Sequence, residues 1–236
     1  MPLKALIFDV DGTLADTEQY GHLAACNQAF AELGFPIEWS WTEFMGMLHV
    51  PGNAARMRQA LKKHDPSLPE AELDLVIAEL TRLKERFYIE KCLPNIALRP
   101  GVRPLIEAAV KRNLRLAIVS VSNEPQIEAL LHHRLAEFVG CFNPILGKYA
   151  GPKTAPDSPL YRRCLAELGT AATETLVIED SESGFQAAHR AGLPCAVIYN
   201  HYTFGQNFTG AALVANSLET FDLDQLAALC LPPSDA

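Results

Sequence analysis

Residues 5–18 read ALIFDVDGTLADTE, and this stretch decides the fold. The apolar run from Ala5 to Phe8 is typical of a buried parallel strand, which loses the alternating pattern because helices cover both of its faces. Asp9 and Asp11 follow at once, together with Gly12, which tolerates the backbone angles of a sharp turn. We therefore predict a strand that delivers two carboxylates just past its carboxyl end, the edge where open α/β sheets bind ligands.

Runs of the same kind recur along the chain. Four of them end in acids, hydroxyls or turn residues: Leu114 to Val119, Phe142 to Leu146, Thr175 to Ile178 and Cys195 to Tyr199. Helical segments are predicted between them, at about Gly101 to Asn113, Glu124 to His133, Pro159 to Leu168 and Ser183 to Ala191. This alternation predicts an α/β fold with a doubly wound parallel sheet.

The stretch 17–95 does not follow this rhythm. It is almost entirely helix-like, with an amphipathic run from Glu70 to Lys91, and it is far longer than one crossover helix. We predict an α-helical cap domain at 17–95, inserted into a core domain formed by 1–16 and 96–236. Its two junctions would serve as hinge loops.

The composition of the 236 residues narrows the function classes. Lys and Arg number 20 against 28 Asp and Glu, and a net charge of -8 argues against a nucleic-acid partner. The first apolar run is too short for a signal sequence or a membrane span, so we expect a cytoplasmic protein without a membrane partner. The sequence does not show whether the folded protein has an apolar surface patch through which two copies would associate. We expect a monomer, and a homodimer stays open.

Other polar residues follow the later strands, and each has a structural alternative. Ser120 could bond its own backbone, and Lys153 lies in a Gly/Pro-rich loop where solvated lysines are ordinary. Glu179 and Asp180 could cap the next helix. If they converge with Asp9 and Asp11, each pair of like charges repels by about 1 to 4 kcal/mol. A divalent cation relieves this repulsion, and an all-oxygen ligand set favours Mg²⁺.

Four ordered motifs carry a family resemblance: the acidic motif that begins at Asp9, Ser120 at a strand end, Lys153 before Pro156-Asp157, and Glu179-Asp180 before a helix. Together they resemble the haloacid dehalogenase superfamily from residue 5 to about residue 215. The resemblance implies a Rossmann-like core and a Mg²⁺-dependent phosphatase that forms an aspartyl-phosphate. The roles it implies are Asp9 as nucleophile, Asp11 as general acid/base, Ser120 and Lys153 on the phosphate, and Asp9, Asp11 (backbone carbonyl), Asp180 and Glu179 at or beside the metal.

The position of the cap and several short segments resemble the CbbY-type branch, whose members act on sugar phosphates and bisphosphates. The expected partner is therefore a small phosphorylated metabolite. Candidate substrate contacts are Glu18, His22, Arg56 and Lys84 (or Arg86) in the cap, and Ser120, Val121 and Lys153 in the core. Taken singly, each cap residue is also compatible with a surface charge or, for His22, a structural role.

Two other functions stay open at this point. A β-phosphoglucomutase-like phosphotransferase would share the core motifs, and a non-catalytic regulator could bind a phosphorylated metabolite. The intact acids and Lys153 argue against the regulator. The chain also departs from the family's usual pattern, with Lys153-Thr154 in place of Lys-Pro and Gly147-Lys148 in place of Gly-Asp. We expect these changes to alter the loop around Lys153 and the entrance to the site.

Overall fold

The computed structural model describes residues 3–230, and the chain divides into two compact units. One unit, the sheet unit, contains the chain up to Asp16 and from Ala97 onward. The other, the helical unit, is Thr17–Ile96.

The sheet unit is built on six parallel strands in the order β3-β2-β1-β4-β5-β6. The strands are β1 (Ala5–Phe8), β2 (Arg115–Val119), β3 (Phe142–Leu146), β4 (Thr175–Glu179), β5 (Cys195–Ile198) and β6 (Leu213–Ala215). Its helices are α5 (Val102–Lys111), α6 (Glu124–Arg134), α7 (Pro159–Leu168), α8 (Glu182–Arg190) and α9 (Leu223–Ala228). The predicted doubly wound parallel sheet is confirmed.

Burial explains why β1 reads as a continuous apolar run. Ala5 and Ile7 pack into a cluster with residues of α7 and α8, while Leu6 and Phe8 on the other face are also fully buried. Water reaches neither face, so no polar residue alternates with the apolar ones. The short strand β6 was missed by the sequence analysis because it is partly exposed at the edge of the sheet and lacks such a run.

The strand order decides where the polar residues meet. β1 lies between β2 and β4, and the chain runs outward from it in one direction through β3 and in the other through β6. The carboxyl ends of β1, β2 and β4 are therefore neighbours at the point where the order reverses. Open α/β sheets bind their ligands at such a point.

The helical unit contains α1 (Ala24–Glu32), α2 (Trp41–Gly46), α3 (Asn53–His64) and α4 (Glu70–Phe87). A π-helical segment, Glu18–Leu23, leads into α1, and another, Tyr88–Cys92, continues α4. The buried residues of α4 recur every three or four positions, and α4 packs against α1 and α3, as expected for an amphipathic helix. Within residues 3–230, no helix has the length and apolar character needed to cross a bilayer.

Candidate active site

The structure brings the core residues singled out by the sequence to the carboxyl edge of the sheet. Asp9 follows β1, Ser120 follows β2, and Glu179 and Asp180 lie at the end of β4. These four side chains are buried, as is Lys153, which comes from the loop between β3 and α7. Asp11 is half-buried and its carboxylate accepts a hydrogen bond from the Ser122 hydroxyl.

Lys153 neutralises part of this acidic edge. Its ammonium donates to Asp9 Oδ1 at 2.5 Å and also forms an ion pair with Glu179. Burial by itself lowers the pKa of Lys153, but the carboxylates of Asp9 and Glu179 outweigh that effect and raise the pKa above its ordinary value. Lys153 therefore carries a fixed positive charge at the nucleophile predicted from the sequence.

The turn after β1 requires the glycine at its centre. Gly12 has a φ of +80°, a conformation that other residues rarely adopt. A Cβ at this position would lie 2.4 Å from Asp180 Oδ2. The Thr13 hydroxyl donates to the other Asp180 oxygen at 3.4 Å. The turn thus lies directly against the acid that ends β4.

Three of the acids could share a cation. Ligand oxygens of Asp9, Glu179 and Asp180 lie within 4.8 Å of one another. Burial, opposed by Lys153 and reinforced by Glu179 and Asp11, raises the pKa of Asp9 to about 7. Burial and the neighbouring acids Glu179 and Asp9 also raise the pKa of Asp180 well above its ordinary value. Buried carboxylates that lose ionisation in this way fit a site whose charge is completed by a metal ion.

Glu179 is held mainly by protein donors. Its Oε2 accepts hydrogen bonds from the backbone N–H groups of Asp180 at 3.1 Å and Ser181 at 3.4 Å, and from the Ser181 hydroxyl at 3.3 Å. Its Oε1 accepts from the Tyr161 hydroxyl at 3.3 Å and pairs with Lys153. This arrangement favours the role of Glu179 beside a bound cation, as the counter-ion that holds Lys153.

Ser120 and Val121 lie together at the end of β2 with opposite exposure. Ser120 is fully buried, and its hydroxyl accepts a hydrogen bond from the Ser122 N–H at 3.2 Å, so the local backbone bond considered in the sequence analysis exists. The oxygen accepts in that bond, which is compatible with donation of its proton to a phosphate oxygen. Val121 is 58% exposed at the same edge.

Three further residues organise this edge and were not singled out from the sequence. The Asn200 amide donates to Asp180 Oδ2 at 2.9 Å, and Ser122 bonds Asp11. The Arg99 guanidinium donates to the backbone carbonyls of Gly12, Ile198, Tyr199 and Asn216. Asn200 could have been found from its place two residues beyond β5, since polar residues after parallel strands share one edge. Arg99 offers no comparable signal.

The candidate substrate contacts Glu18, His22, Arg56 and Lys84 all lie in the helical unit. Lys84 is buried; its ammonium lies 2.9 Å from His22 Nδ1 and 4.7 Å from the centre of the Tyr88 ring. The His22 ring stacks on the same Tyr88 ring at 4.5 Å. The structure thus brings His22 and Lys84 together, although they are 62 positions apart in the sequence.

Arg56 is largely engaged within its own unit. Its guanidinium donates to the backbone carbonyls of Met47 and Val50, both at 3.1 Å, and to the Asn53 side chain at 2.9 Å. The carboxylate of Glu18 lies 4.0 Å away. Burial lowers the pKa of Arg56. Arg86, the alternative to Lys84, is partly exposed and lies 3.8 Å from Glu32.

Comparison with known proteins assigns the family. A family model described as haloacid dehalogenase-like hydrolase matches residues 6–198 of this chain. The chain belongs to the haloacid dehalogenase-like hydrolases. The matched region of the hydrolase contains the whole acidic edge from Asp9 to Asp180, and the resemblance inferred from its motifs is confirmed.

Within this family, the chain is similar to several individual proteins. It is 38% identical to the plasmid-encoded protein CbbY of Cupriavidus necator over 90% of this chain and 84% of that protein. It is 29% identical to a phosphoglycolate phosphatase of Pseudomonas savastanoi pv. phaseolicola, over 84% of this chain and 71% of that enzyme. A variant of CbbY from Rhodobacter sphaeroides, solved with xylulose 1,5-bisphosphate, superposes with a TM-score of 0.82 at 31% identity, covering 95% of this chain and 99% of that one. The CbbY-like resemblance and the prediction of a phosphatase of this family are confirmed.

Proposed function

We propose that this protein is a Mg²⁺-dependent phosphatase that hydrolyses a sugar phosphate or sugar bisphosphate through an aspartyl-phosphate on Asp9. The observation that carries the proposal is the buried contact of 2.5 Å between the Lys153 ammonium and Asp9 Oδ1. A carboxylate whose pKa is raised to about 7 by burial is kept available as a nucleophile by a cation placed against it. The same ammonium is positioned to balance the charge of an incoming phosphate.

In the first step, an oxygen of the Asp9 carboxylate attacks phosphorus, and the bond between phosphorus and the sugar oxygen breaks. Ser120 and Lys153 hold phosphate oxygens by donating hydrogen bonds to them. The protonated Asp11 carboxyl gives its proton to the departing sugar oxygen. Phosphoryl transfer of this kind depends mainly on positioning and charge stabilisation, which these buried groups supply.

In the second step, water attacks the phosphorus of the aspartyl-phosphate and the bond to Asp9 breaks, which releases inorganic phosphate. Asp11 accepts the proton of the attacking water and is ready for another turnover. The hydrogen bond from the Ser122 hydroxyl fixes the Asp11 carboxylate in orientation. One residue thus serves as acid in the first step and as base in the second.

The carboxylates of Asp9 and Asp180 and the backbone carbonyl of Asp11 would hold the magnesium ion. A bound ion would supply positive charge to the acidic edge and to the phosphate oxygens. Asn200 and Thr13 each donate a hydrogen bond to Asp180, which fixes the direction of that carboxylate. The carboxylates of Asp9 and Asp180 and the carbonyl of Asp11 are hard oxygen ligands, which magnesium prefers.

The substrate class follows from the CbbY relatives, one of which binds xylulose 1,5-bisphosphate. We propose that the helical unit acts as the cap and selects the substrate. Lys84, His22 and Glu18 supply a buried cation, an imidazole and a carboxylate that suit a polar sugar or a second phosphate. Arg56 contributes chiefly by holding the backbone carbonyls of Met47 and Val50 and the side chain of Asn53.

The test is a phosphate-release screen of the purified protein with Mg²⁺ over sugar phosphates, sugar bisphosphates, phosphoglycolate and p-nitrophenyl phosphate. Xylulose 1,5-bisphosphate should be among the best substrates. An arm with β-glucose 1-phosphate and its bisphosphate activator detects a mutase. Turnover of that pair without phosphate release would replace the phosphatase by a mutase, and inactivity over the whole panel would exclude both enzymes.

A further inference from the structure

The carboxylate of Glu124 binds the loop that leads from β3 to Lys153. Glu124 is the first residue of α6, four positions beyond Ser120. Its Oε1 accepts hydrogen bonds from the N–H groups of Gly147 at 3.0 Å and Ala150 at 3.1 Å, and its Oε2 accepts one from Tyr149 at 3.2 Å. One side chain therefore satisfies three backbone donors of a neighbouring loop.

The local packing is adapted to this contact. A Cβ at Gly147 would lie 2.5 Å from the Ser122 carbonyl oxygen and 2.9 Å from the Glu124 carboxylate carbon. Any larger residue would separate the loop from Glu124. The Lys148 N–H also donates to the Ser122 carbonyl at 2.9 Å. The four consecutive N–H groups of residues 147–150 thus all donate to residues 122 and 124.

Helix capping alone does not account for Glu124. An acid in the first turn of a helix interacts favourably with the helix dipole. The N-cap of α6, however, is Asn123, whose side chain accepts the Gln126 N–H at 3.0 Å. Glu124 directs its carboxylate out of its own helix to donors in another loop. Such charge-assisted hydrogen bonds are stronger than neutral ones.

The two loops joined by Glu124 carry three of the groups used in the proposed reaction. The loop after β2 holds Ser120 and Ser122, and the loop between β3 and α7 contains Lys153. Lys153 lies three residues beyond the last N–H bound by Glu124. A displacement of the loop would therefore move the ammonium that lies 2.5 Å from Asp9.

We propose that Glu124 is a positioning residue: by binding the N–H groups of Gly147, Tyr149 and Ala150, it fixes Lys153 relative to Ser120 and Asp9. It touches neither substrate nor metal ion and acts through the loop. This inference rests on the proposed role of Lys153 in phosphate binding. It concerns a residue that none of the four sequence motifs contains.

The test compares Glu124→Gln with Glu128→Gln. Glutamine keeps the size of the side chain but replaces one acceptor oxygen with an NH₂ group, which would face an N–H donor of the loop. Glu128 is an exposed residue of the same helix, so Glu128→Gln makes the same change of charge but leaves the hydrogen bonds between Glu124 and the loop intact. We expect Glu124→Gln to lower kcat/KM for phosphate release by about tenfold, the size of one charge-assisted hydrogen bond. Glu128→Gln should stay within about twofold of the wild type.

A second variant separates positioning from helix stabilisation. Glu124→Asp keeps the negative charge at the start of α6 but is one methylene too short for the loop. If Glu124 acted through the helix alone, Glu124→Asp would restore wild-type kcat/KM. We expect it to remain as impaired as Glu124→Gln. Full recovery in Glu124→Asp would overturn the inference.

Hydrogen exchange gives a readout that does not require turnover. In Glu124→Gln, the amides of residues 147–154 should exchange at least about tenfold faster than in the wild type, whereas those of β1 should be unchanged. Binding of inorganic phosphate with Mg²⁺ completes the test through a double-mutant cycle. In a Lys153→Met background, Glu124→Gln should cause no further loss of phosphate affinity, because its effect passes through Lys153.

The outcomes separate this inference from the proposed function. If the wild type releases and binds no phosphate, the proposed function fails, and the exchange of residues 147–154 alone decides the role of Glu124. Unchanged exchange in Glu124→Gln overturns the inference in either case. In an active enzyme, faster exchange with unchanged kcat/KM, or a full additional loss in the Lys153→Met background, overturns it as well.

Discussion

The sheet edge and the helical unit both hold buried charges, but they arrange them differently. At the sheet edge, Lys153 lies directly between the acids Asp9 and Glu179, so opposite charges meet. In the helical unit, Lys84 lies against His22 and the Tyr88 ring, and Arg56 is held mostly by backbone carbonyls. The acids of the sheet edge fit a further cation that completes their cluster, whereas Lys84 in the helical unit carries the positive charge that the proposed function assigns to an anionic substrate. The proposed function assigns the chemistry to the sheet edge and substrate selection to the helical unit, and this difference in charge is consistent with that assignment.

The largest effect is expected at the sheet edge, from a change of the proposed nucleophile Asp9. Asp9→Asn should lower turnover by about 10⁴-fold or more, because an amide cannot attack phosphorus. The measurement is phosphate release at saturating substrate, with circular dichroism to verify folding. Substantial residual activity would place the nucleophile elsewhere and remove the basis of the proposed chemistry.

Asp11→Asn also tests the sheet edge, and it separates the role of Asp11 in proton transfer from its role in metal binding. Turnover should fall by about 10²- to 10⁴-fold, because the amide can neither give nor accept the proton. Mg²⁺ affinity, measured by calorimetry, should change little, since only the backbone carbonyl of Asp11 is assigned to the metal. A large loss of Mg²⁺ affinity would contradict this division of roles.

Lys84→Met tests the helical unit. The substitution preserves an unbranched side chain and removes its charge, so we expect KM for a sugar bisphosphate to rise about tenfold with kcat within about twofold. The matched control is Arg86→Met in the same helix, at a partly exposed residue 3.8 Å from Glu32, which should leave both constants unchanged. If Lys84→Met lowered kcat and left KM alone, Lys84 would belong to the chemistry and the contrast would fail.

The smallest effect concerns pH and magnesium. Because the pKa of Asp9 is raised from 3.8 to about 7, its burial destabilises the metal-free fold increasingly as the pH rises from about 4 to about 7. Metal binding must displace the proton at pH 5.5 but not at pH 8. The increase in Tm on adding Mg²⁺ should therefore be larger at pH 8, by about 2 to 4 °C for each kcal/mol of difference.

Differential scanning fluorimetry at a fixed Mg²⁺ concentration measures this difference. Asp9→Asn is the control, since it has no proton to displace at that position and should show a reduced pH dependence. Equal Mg²⁺-induced shifts at the two pH values in the wild type would show that Asp9 does not take part in metal binding.

Much of the sheet edge could be predicted because parallel strands impose a simple rule. A polar residue directly after a buried apolar run lies at the carboxyl edge, and Asp9, Ser120 and Glu179 all satisfy this condition, with Asp180 next to Glu179. Asn200 and Ser122 satisfy it nearly as well but belong to none of the motifs considered. Tyr161 follows no such rule: it lies within α7, and only the packing of that helix brings its hydroxyl to Glu179.

The helical unit was harder to predict in detail. Its amphipathic helix from Glu70 was clear from the spacing of apolar residues, but that spacing does not say which helix packs against which. The contact between His22 and Lys84 joins two helical segments that are far apart in the chain. The role of Arg56 in binding the backbone of Met47 and Val50 also depends on how the turn before α3 folds back.

The sequence by itself determined the family, through its ordered motifs. It also determined the doubly wound sheet and the acids that follow its strands, because a strand buried on both faces forms a local apolar run and the residues just after that run lie at the carboxyl edge. Tertiary structure alone decided which donors those acids receive. Three contacts join segments that no local pattern connects: Glu124 with the loop from 147 to 150, Arg99 with four backbone carbonyls, and Asn200 with Asp180. The physical reason is that a hydrogen bond depends on distance and angle within a few tenths of an ångström, and packing of the whole unit sets these.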